Sequence, residues 1–156
     1  MPKLFPDGYE SEVVTMEEIT DEKDTGYKEG VYFSPESGDF VRDGQYRLKS
    51  ATGIESWEQW CRNCLMTERG VSPFYGDTFG IATVEAFQAD TREMTESILT
   101  REICESLAND PYGRTKYVSD VVFTWEDSDS LMIDVTVVGI DNATIDITTV
   151  IDVRAR

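Results

Sequence analysis

Cys61-x-x-Cys64 has the spacing of half a tetrahedral zinc site, and Cys104 could in principle supply a third thiolate beside a carboxylate. Both thiols, however, fall on the apolar side of the helix expected around them, and the chain contains no histidine. Core packing is the reading those positions favour. The 31 acidic residues guarantee carboxylate pairs, Glu55 with Glu58 and Glu68 with Asp77 among them. Glycosidase-type chemistry needs one carboxyl raised by an apolar pocket and a second one solvated at a defined separation, and spacing alone selects no such pair. A Ser-His-Asp constellation is impossible without histidine, and neither a Gly-x-x-x-x-Gly-Lys phosphate loop nor a Gly-x-Gly-x-x-Gly fingerprint occurs. The sequence therefore leads us to expect no metal, no cofactor and no enzymatic activity.

Composition narrows the partners. A chain of 156 residues with 40% hydrophobic content is sized for one globular domain. Its formal net charge of -17 sets up a field that repels phosphate backbones and anionic membrane surfaces, so nucleic acid and membrane are poor partners. No stretch approaches the roughly 20 consecutive apolar residues of a membrane span, and Met1 to Glu10 lacks a basic-then-apolar leader, which leads us to expect synthesis in the cytosol. Three cysteines are an odd and sparse set, unlike a secreted disulfide framework.

The elements that must position any site follow from pattern. Tyr9 to Glu29 carries Glu10, Glu12, Glu17, Glu18, Asp21, Glu22 and Asp24 with few apolar residues, too little to offset the entropy of ordering, and residues 1–30 read as an acidic extended arm. In the domain expected over 31–156, Val31-Tyr32-Phe33 and Phe40-Val41 flank the turn residues Ser34 to Gly38, with Asp43-Gly44 as a further turn, and predict a β-hairpin. Thr52-Gly53-Ile54-Glu55 has capping-box spacing. Ile54, Trp57, Trp60, Cys61, Cys64 and Leu65 then share one helical face, predicting a helix over 54–68. Gly70, Pro73, Gly76 and Gly80 break the next stretch into an irregular loop that holds Phe74, Tyr75 and Phe79 against the domain. A cap at Asp90-Thr91, the apolar side Met94, Ile98, Leu99, Ile103 and Leu107, and the stop at Asn109-Asp110-Pro111 predict a helix over 91–108.

Beyond Pro111 the period becomes two. Val121, Phe123 and Trp125 alternate along a strand that starts near Tyr117, and Glu126 to Asp129 make a turn. Leu131, Ile133, Val135 and Val137 share one face of the next strand. Ile145, Ile147 and Ile151 share one on the last, with Asp134, Asp146 and Asp152 opposite. Joining the two apolar rows requires an even index sum, Val135 with Ile147 or with Thr149, and hence an odd loop through Ile140, Asp141 and Asn142. The last strand, 144–153, is expected at a sheet edge, where its aspartates blunt unselective pairing while a chosen strand can still add. Trp57 and Trp60 are candidate interface anchors, since tryptophan dominates many protein contacts, although filling the core between the helices is the simpler reading of each.

The order of these elements resembles one known family. Tyr32-Phe33 and Phe40 before Arg47-Leu48, then Ile54 to Arg69 (IESWEQWCRNCLMTER), then Tyr75-Gly76 resemble the contractile-tail baseplate wedge proteins that include sheath initiators, a family once labelled lysozyme-like. The resemblance covers about residues 31 to 153. It implies a Glu-Pro-Arg motif at a helix end, leading into the first strand of the C-terminal sheet and making polar contacts with wedge partners. Here that place reads Asp110-Pro111-Tyr112-Gly113-Arg114, with Asp for Glu and Tyr112-Gly113 inserted. A carboxylate and a guanidinium there can offer directional charged hydrogen bonds to a neighbouring chain. The resemblance also implies that the first sheath ring joins the C-terminal strands by shared sheet formation.

The resulting expectation is an α+β fold: two helices packed on a three-stranded antiparallel C-terminal sheet, with an N-terminal β-hairpin and an acidic extended arm that orders on assembly. The expected role is structural, in the baseplate of a contractile phage or phage-like tail made in a bacterial cytoplasm. It would join the wedge to the hub and template the sheath by C-terminal strand pairing. Expected partners are other wedge proteins, the tail sheath protein, and tube or hub proteins. Expected partner-binding residues are Trp57, Trp60, Glu68, Arg69, Asp110, Pro111, Arg114, Ile145, Ile147, Thr149 and Ile151. The alternatives are a peptidoglycan hydrolase, drawn from the old label and the acidic content, and an acidic cytosolic adaptor or nucleic-acid mimic.

Overall fold

A computed structural model describes residues 26–152. The expected arm therefore lies outside the described residues up to position 25. Its last residues are described, and they are already seated on the domain.

The predicted hairpin forms from β2 (Phe33–Ser34) and β3 (Asp39–Phe40), with Phe33 opposite Phe40 and their rings edge to face at 5.5 Å. Pattern reading missed its other side, where β1 (Gly30–Val31) pairs antiparallel with β4 (Ser50–Ala51) and returns the chain to the first long helix.

Helix α1 (Gly53–Met66) starts at the expected capping box: the Thr52 hydroxyl accepts from the Glu55 N–H, and the Glu55 carboxylate accepts from the Thr52 N–H. Trp57, Cys61, Cys64 and Leu65 form its buried stripe, while Ile54 is 41% exposed and lies outside it. A short helix not expected from sequence, α2 (Thr83–Ala86), follows the loop. Helix α3 (Arg92–Ala108) is capped by Thr91, whose side chain accepts from the Met94 N–H. Its buried stripe is Thr95, Leu99, Glu102, Ile103, Ser106 and Leu107. Met94, expected on the apolar side, is 53% exposed. Thr95 takes the inward place beside it, where its hydroxyl donates to the Ala86 carbonyl of α2. The inward sector was set by a helix that periodicity did not reveal.

The C-terminal sheet is an antiparallel meander of β5 (Thr115–Trp125), β6 (Ser130–Gly139) and β7 (Thr144–Asp152), in that spatial order. Val135 lies opposite Ile147, the first of the two registers the apolar rows allow, and opposite Val121 on the other side. The connecting loop is odd: Gly139 N–H donates to Ala143 O at 2.8 Å, leaving Ile140, Asp141 and Asn142 between them. Asn142, at φ 63°, takes the left-handed position that closes a three-residue hairpin loop. Two register shifts interrupt β5 before Asp120, so Val118 and Val121, three apart, both face inward. Helix α1 lies over β7 and α3 over β5, closing one core between the helical layer and the sheet. Among the described residues, no helix is long and apolar enough to cross a membrane.

Candidate functional site

Two surfaces gather the expected partner-binding residues, the corner between α3 and β5 and the edge strand β7. At the corner, Pro111 ends the path of α3 and Gly113, at φ 62°, turns the chain back through a backbone region that costs glycine little. The return brings Arg114 onto Asp110. The guanidinium Nε donates to Asp110 Oδ2 at 2.8 Å and Nη2 to Oδ1 at 2.8 Å, a bidentate pair, and the Arg114 backbone N–H adds a third bond of 2.8 Å. Asp110 and Arg114 are 5% and 3% exposed, so each side chain answers the other inside the chain, while Pro111, Tyr112 and Gly113 between them stand exposed. The expectation from sequence is that this carboxylate and guanidinium can meet a neighbouring chain; within the chain they meet each other, because Tyr112-Gly113 supplies the turn that folds them together. Burial pushes the Asp110 carboxyl up, but the side-chain and backbone hydrogen bonds from Arg114 outweigh it and hold the carboxyl below its ordinary value. Arg114 also lies between two rings, 5.1 Å from Tyr112 and 5.7 Å from Trp60.

The pair thereby supports one wall of a cleft of about 380 Å³ lined by Trp60, Asn63, Tyr75, Phe79 and Pro111. Trp60 meets Phe79 edge to face at 5.8 Å, and Tyr75 stacks on Phe79 at 4.2 Å. Phe74, expected to pack against the domain, instead projects at 92% exposure. Trp57 is fully buried and donates its indole N–H to Thr115 Oγ1 at 3.0 Å, so it is a core residue and does not reach the cleft.

Glu68 and Arg69 belong to a separate network at the neck of the 70–80 loop. Residues 68 and 81 form a parallel bridge, and the Glu68 carboxylate accepts from Thr83 N–H, Thr83 Oγ1 and Val84 N–H, which fixes the start of α2. Arg69 pairs with the buried Glu102 at 2.9 Å and donates to Ser106 Oγ at 2.6 Å and Gly80 O at 3.2 Å. Sequence reasoning missed Glu102 and Ser106. The available signal was their position: three residues beyond Leu99 and three beyond Ile103, both lie on the inward side of α3.

On β7, Ile145, Ile147, Thr149 and Ile151 are all buried against the helical layer. Their side chains are core, and what this strand can present is its backbone and its other row. The Gly139–Ala143 bond fixes the alternation of the β6–β7 ladder: residues 145, 147, 149 and 151 bond toward β6, and residues 144, 146 and 148 direct their N–H and C=O groups to the opposite edge. Among the described residues no strand pairs with that edge. On the outer face, Thr136 donates to Asp146 at 2.7 Å and Thr148 donates to Asp134 at 2.5 Å across the ladder.

The cysteines sit where core packing puts them: Cys61 and Cys64 are buried and Cys104 is half-buried, and burial raises all three thiols above their ordinary value. Of the carboxylate pairs considered for catalysis, Glu55 is engaged in the α1 cap, Glu58 pairs with Arg62 and Glu68 holds the α2 start.

Residues 31–142 match the family described as contractile injection system sheath initiator. The match ends in the β6–β7 loop, before β7. No curated protein matches the chain.

Proposed function

Because the chain belongs to the contractile injection system sheath initiators, and so is a structural component of such a system, we propose that it occupies a baseplate wedge and starts the sheath by accepting a sheath strand along β7. The carrying observation is the edge: a nine-residue strand held on one side by β6 and from behind by its buried isoleucines, whose outward backbone groups at positions 144, 146 and 148 meet no other strand among the described residues. An extended segment adding there gains main-chain hydrogen bonds at a preformed register, so affinity comes from the ladder and selectivity from alternate side chains. The aromatic cleft at the α3–β5 corner is the surface proposed to meet wedge partners, with Trp60 and Pro111 as contacts and Asp110 and Arg114 as the pair that shapes it. Glu68 and Arg69 act through the loop they anchor. Residues 1–30 are proposed as the acidic arm of the domain of residues 31–156, a surface for wedge partners whose described end, 26–30, is seated on that domain.

The test is light scattering after size-exclusion chromatography of the chain mixed with the sheath and wedge proteins of its own tail, comparing wild type with Thr148→Pro. Proline removes one outward N–H, and with the hydroxyl the Thr148–Asp134 bond, while sparing the backbone bonds to β6 and the core side chains, as edge positions tolerate. The expected result is a sheath complex that the substitution abolishes while binding to wedge protein persists. A sheath complex of unchanged stoichiometry and affinity with Thr148→Pro sinks the strand-pairing mechanism.

A further inference from the structure

The first described residues are pegged to the opposite end of the chain by one aromatic side chain. The Tyr27 hydroxyl donates to Asp141 Oδ1 at 2.6 Å, in the loop between β6 and β7, and its ring meets Trp57 edge on with centroids 5.6 Å apart. Two glycines make room for it. A Cβ on Gly139 would overlap the Tyr27 hydroxyl and lie 2.9 Å from Cη2 of Trp57, and a Cβ on Gly53 would lie 2.6 Å from the Tyr27 Cβ. The same Asp141 oxygen accepts the Ala143 N–H at 2.9 Å, which closes the loop just before β7 begins. One residue earlier, Gly26 N–H donates to Tyr112 O at 2.8 Å, beside the Asp110–Arg114 corner. The phenol's environment matches this placement: burial first, then the bond to Asp141, raises it to about 12, and that bond in turn holds Asp141 below its ordinary value.

We infer that Tyr27 is a latch coupling the 26–31 entry to the β6–β7 loop, so that withdrawing Tyr27 loosens both that entry and the loop that begins β7. The coupling is local and physical. One carboxylate oxygen serves both the latch and the loop, and Asn142 keeps its left-handed backbone through bonds that this oxygen anchors. A tension or a binding partner acting on the 26–31 entry therefore reaches the start of the edge strand through the Tyr27–Asp141 bond. The inference holds whatever pairs with β7.

Hydrogen exchange read by mass spectrometry on the full chain tests it with two variants. Gly139→Ala fills the notch and expels a Tyr27 that is still present, and Tyr27→Phe keeps the ring and removes only the hydroxyl. Gly139→Ala is expected to speed exchange both at 26–31 and at 140–144, with the paired centres of β5 and β6 unchanged. Tyr27→Phe is expected to speed the loop amides by roughly threefold, the effect of one lost hydrogen bond on a local opening. Faster exchange confined to 26–31, with the loop protected as in wild type, overturns the latch. If Gly139→Ala loses protection throughout, Tyr27→Phe decides alone: a loop that exchanges as in wild type refutes the coupling.

Discussion

Replacing Asp110 with asparagine removes the charge that neutralises Arg114 and leaves a guanidinium that is 3% exposed without its carboxylate. The native pair has three bonds of 2.8 Å from Arg114 and a longer one of 3.3 Å from the Tyr112 N–H. Breaking one side of such a pair costs about 3–5 kcal/mol, because the surviving charge cannot regain its water. For a domain of this size that is a fall in Tm on the order of 10 °C. Changing both residues, Asp110→Asn with Arg114→Met, leaves no buried charge and is expected to recover most of the loss. Urea melts of the four proteins form the double-mutant cycle that measures the coupling. The acid limb gives an independent check. The folded Asp110 pKa lies below its unfolded value, so its stabilisation is complete above the unfolded value near 4 and is lost as pH falls through the folded one. Wild type should lose stability across that window by more than Asp110→Asn does. A single-variant cost under about 1 kcal/mol, together with matching acid limbs, would refute the placement of this pair as a buried, mutually dependent unit.

Three further outcomes follow from the same geometry. Thr52→Ala should cost about 1 kcal/mol in chemical denaturation, since the capping box loses the hydroxyl that accepts the Glu55 N–H. Glu102→Ala strands Arg69 and the Ala82 N–H, so a loss of about 3 kcal/mol and faster limited proteolysis within 70–80 are expected; a loop as resistant as in wild type would count against the network's role as the neck. Iodoacetamide at neutral pH should leave Cys61 and Cys64 unmodified in the native chain and label all three cysteines in urea, because burial holds the thiols protonated and out of reach.

The legible parts of the fold were those in which one apolar row decides the structure. The register of β6 and β7 follows from parity, because a one-residue slip would turn Ile145 and Ile147 to solvent, and the three-residue loop follows from the register. Helix α1 and its capping box are local in sequence and were readable for that reason. What stayed hidden depends on contacts between distant residues. Helix α2 has four residues and no side-chain cap of its own, and the Glu68 carboxylate, fifteen residues upstream of Thr83, starts it. Buried Glu102 has polar chemistry and a core position, a combination that hydropathy scores as surface and that its pairing with Arg69 and its bond from the Ala82 N–H explain. The corner shows the same limit: Asp110 and Arg114 were singled out together as partner contacts, but the turn at Gly113 that points them at each other cannot be read from residue type alone.

Under the proposed strand-pairing role the edge strand would meet two opposed requirements, refusing stray strands and accepting one, and the outer face bears on both. A bare edge of nine residues invites pairing, and charge is a usual deterrent. Here Asp146 of β7 is held by Thr136 and Asp134 of the neighbouring β6 by Thr148, both over the β6–β7 ladder and away from the open side. Negative charge therefore lies beside the edge, and neither carboxylate is held across the backbone groups of 144, 146 and 148. Such an edge repels an acidic strand, including a second copy of this chain with its net charge of -17, and favours a strand carrying lysine, arginine or hydroxyl side chains on the outer face. Under the proposed strand-pairing role, selectivity then resides in the Asp–Thr rungs and affinity in the ladder. Raising the salt should weaken discrimination between acidic and basic strands more than it weakens binding of the right one.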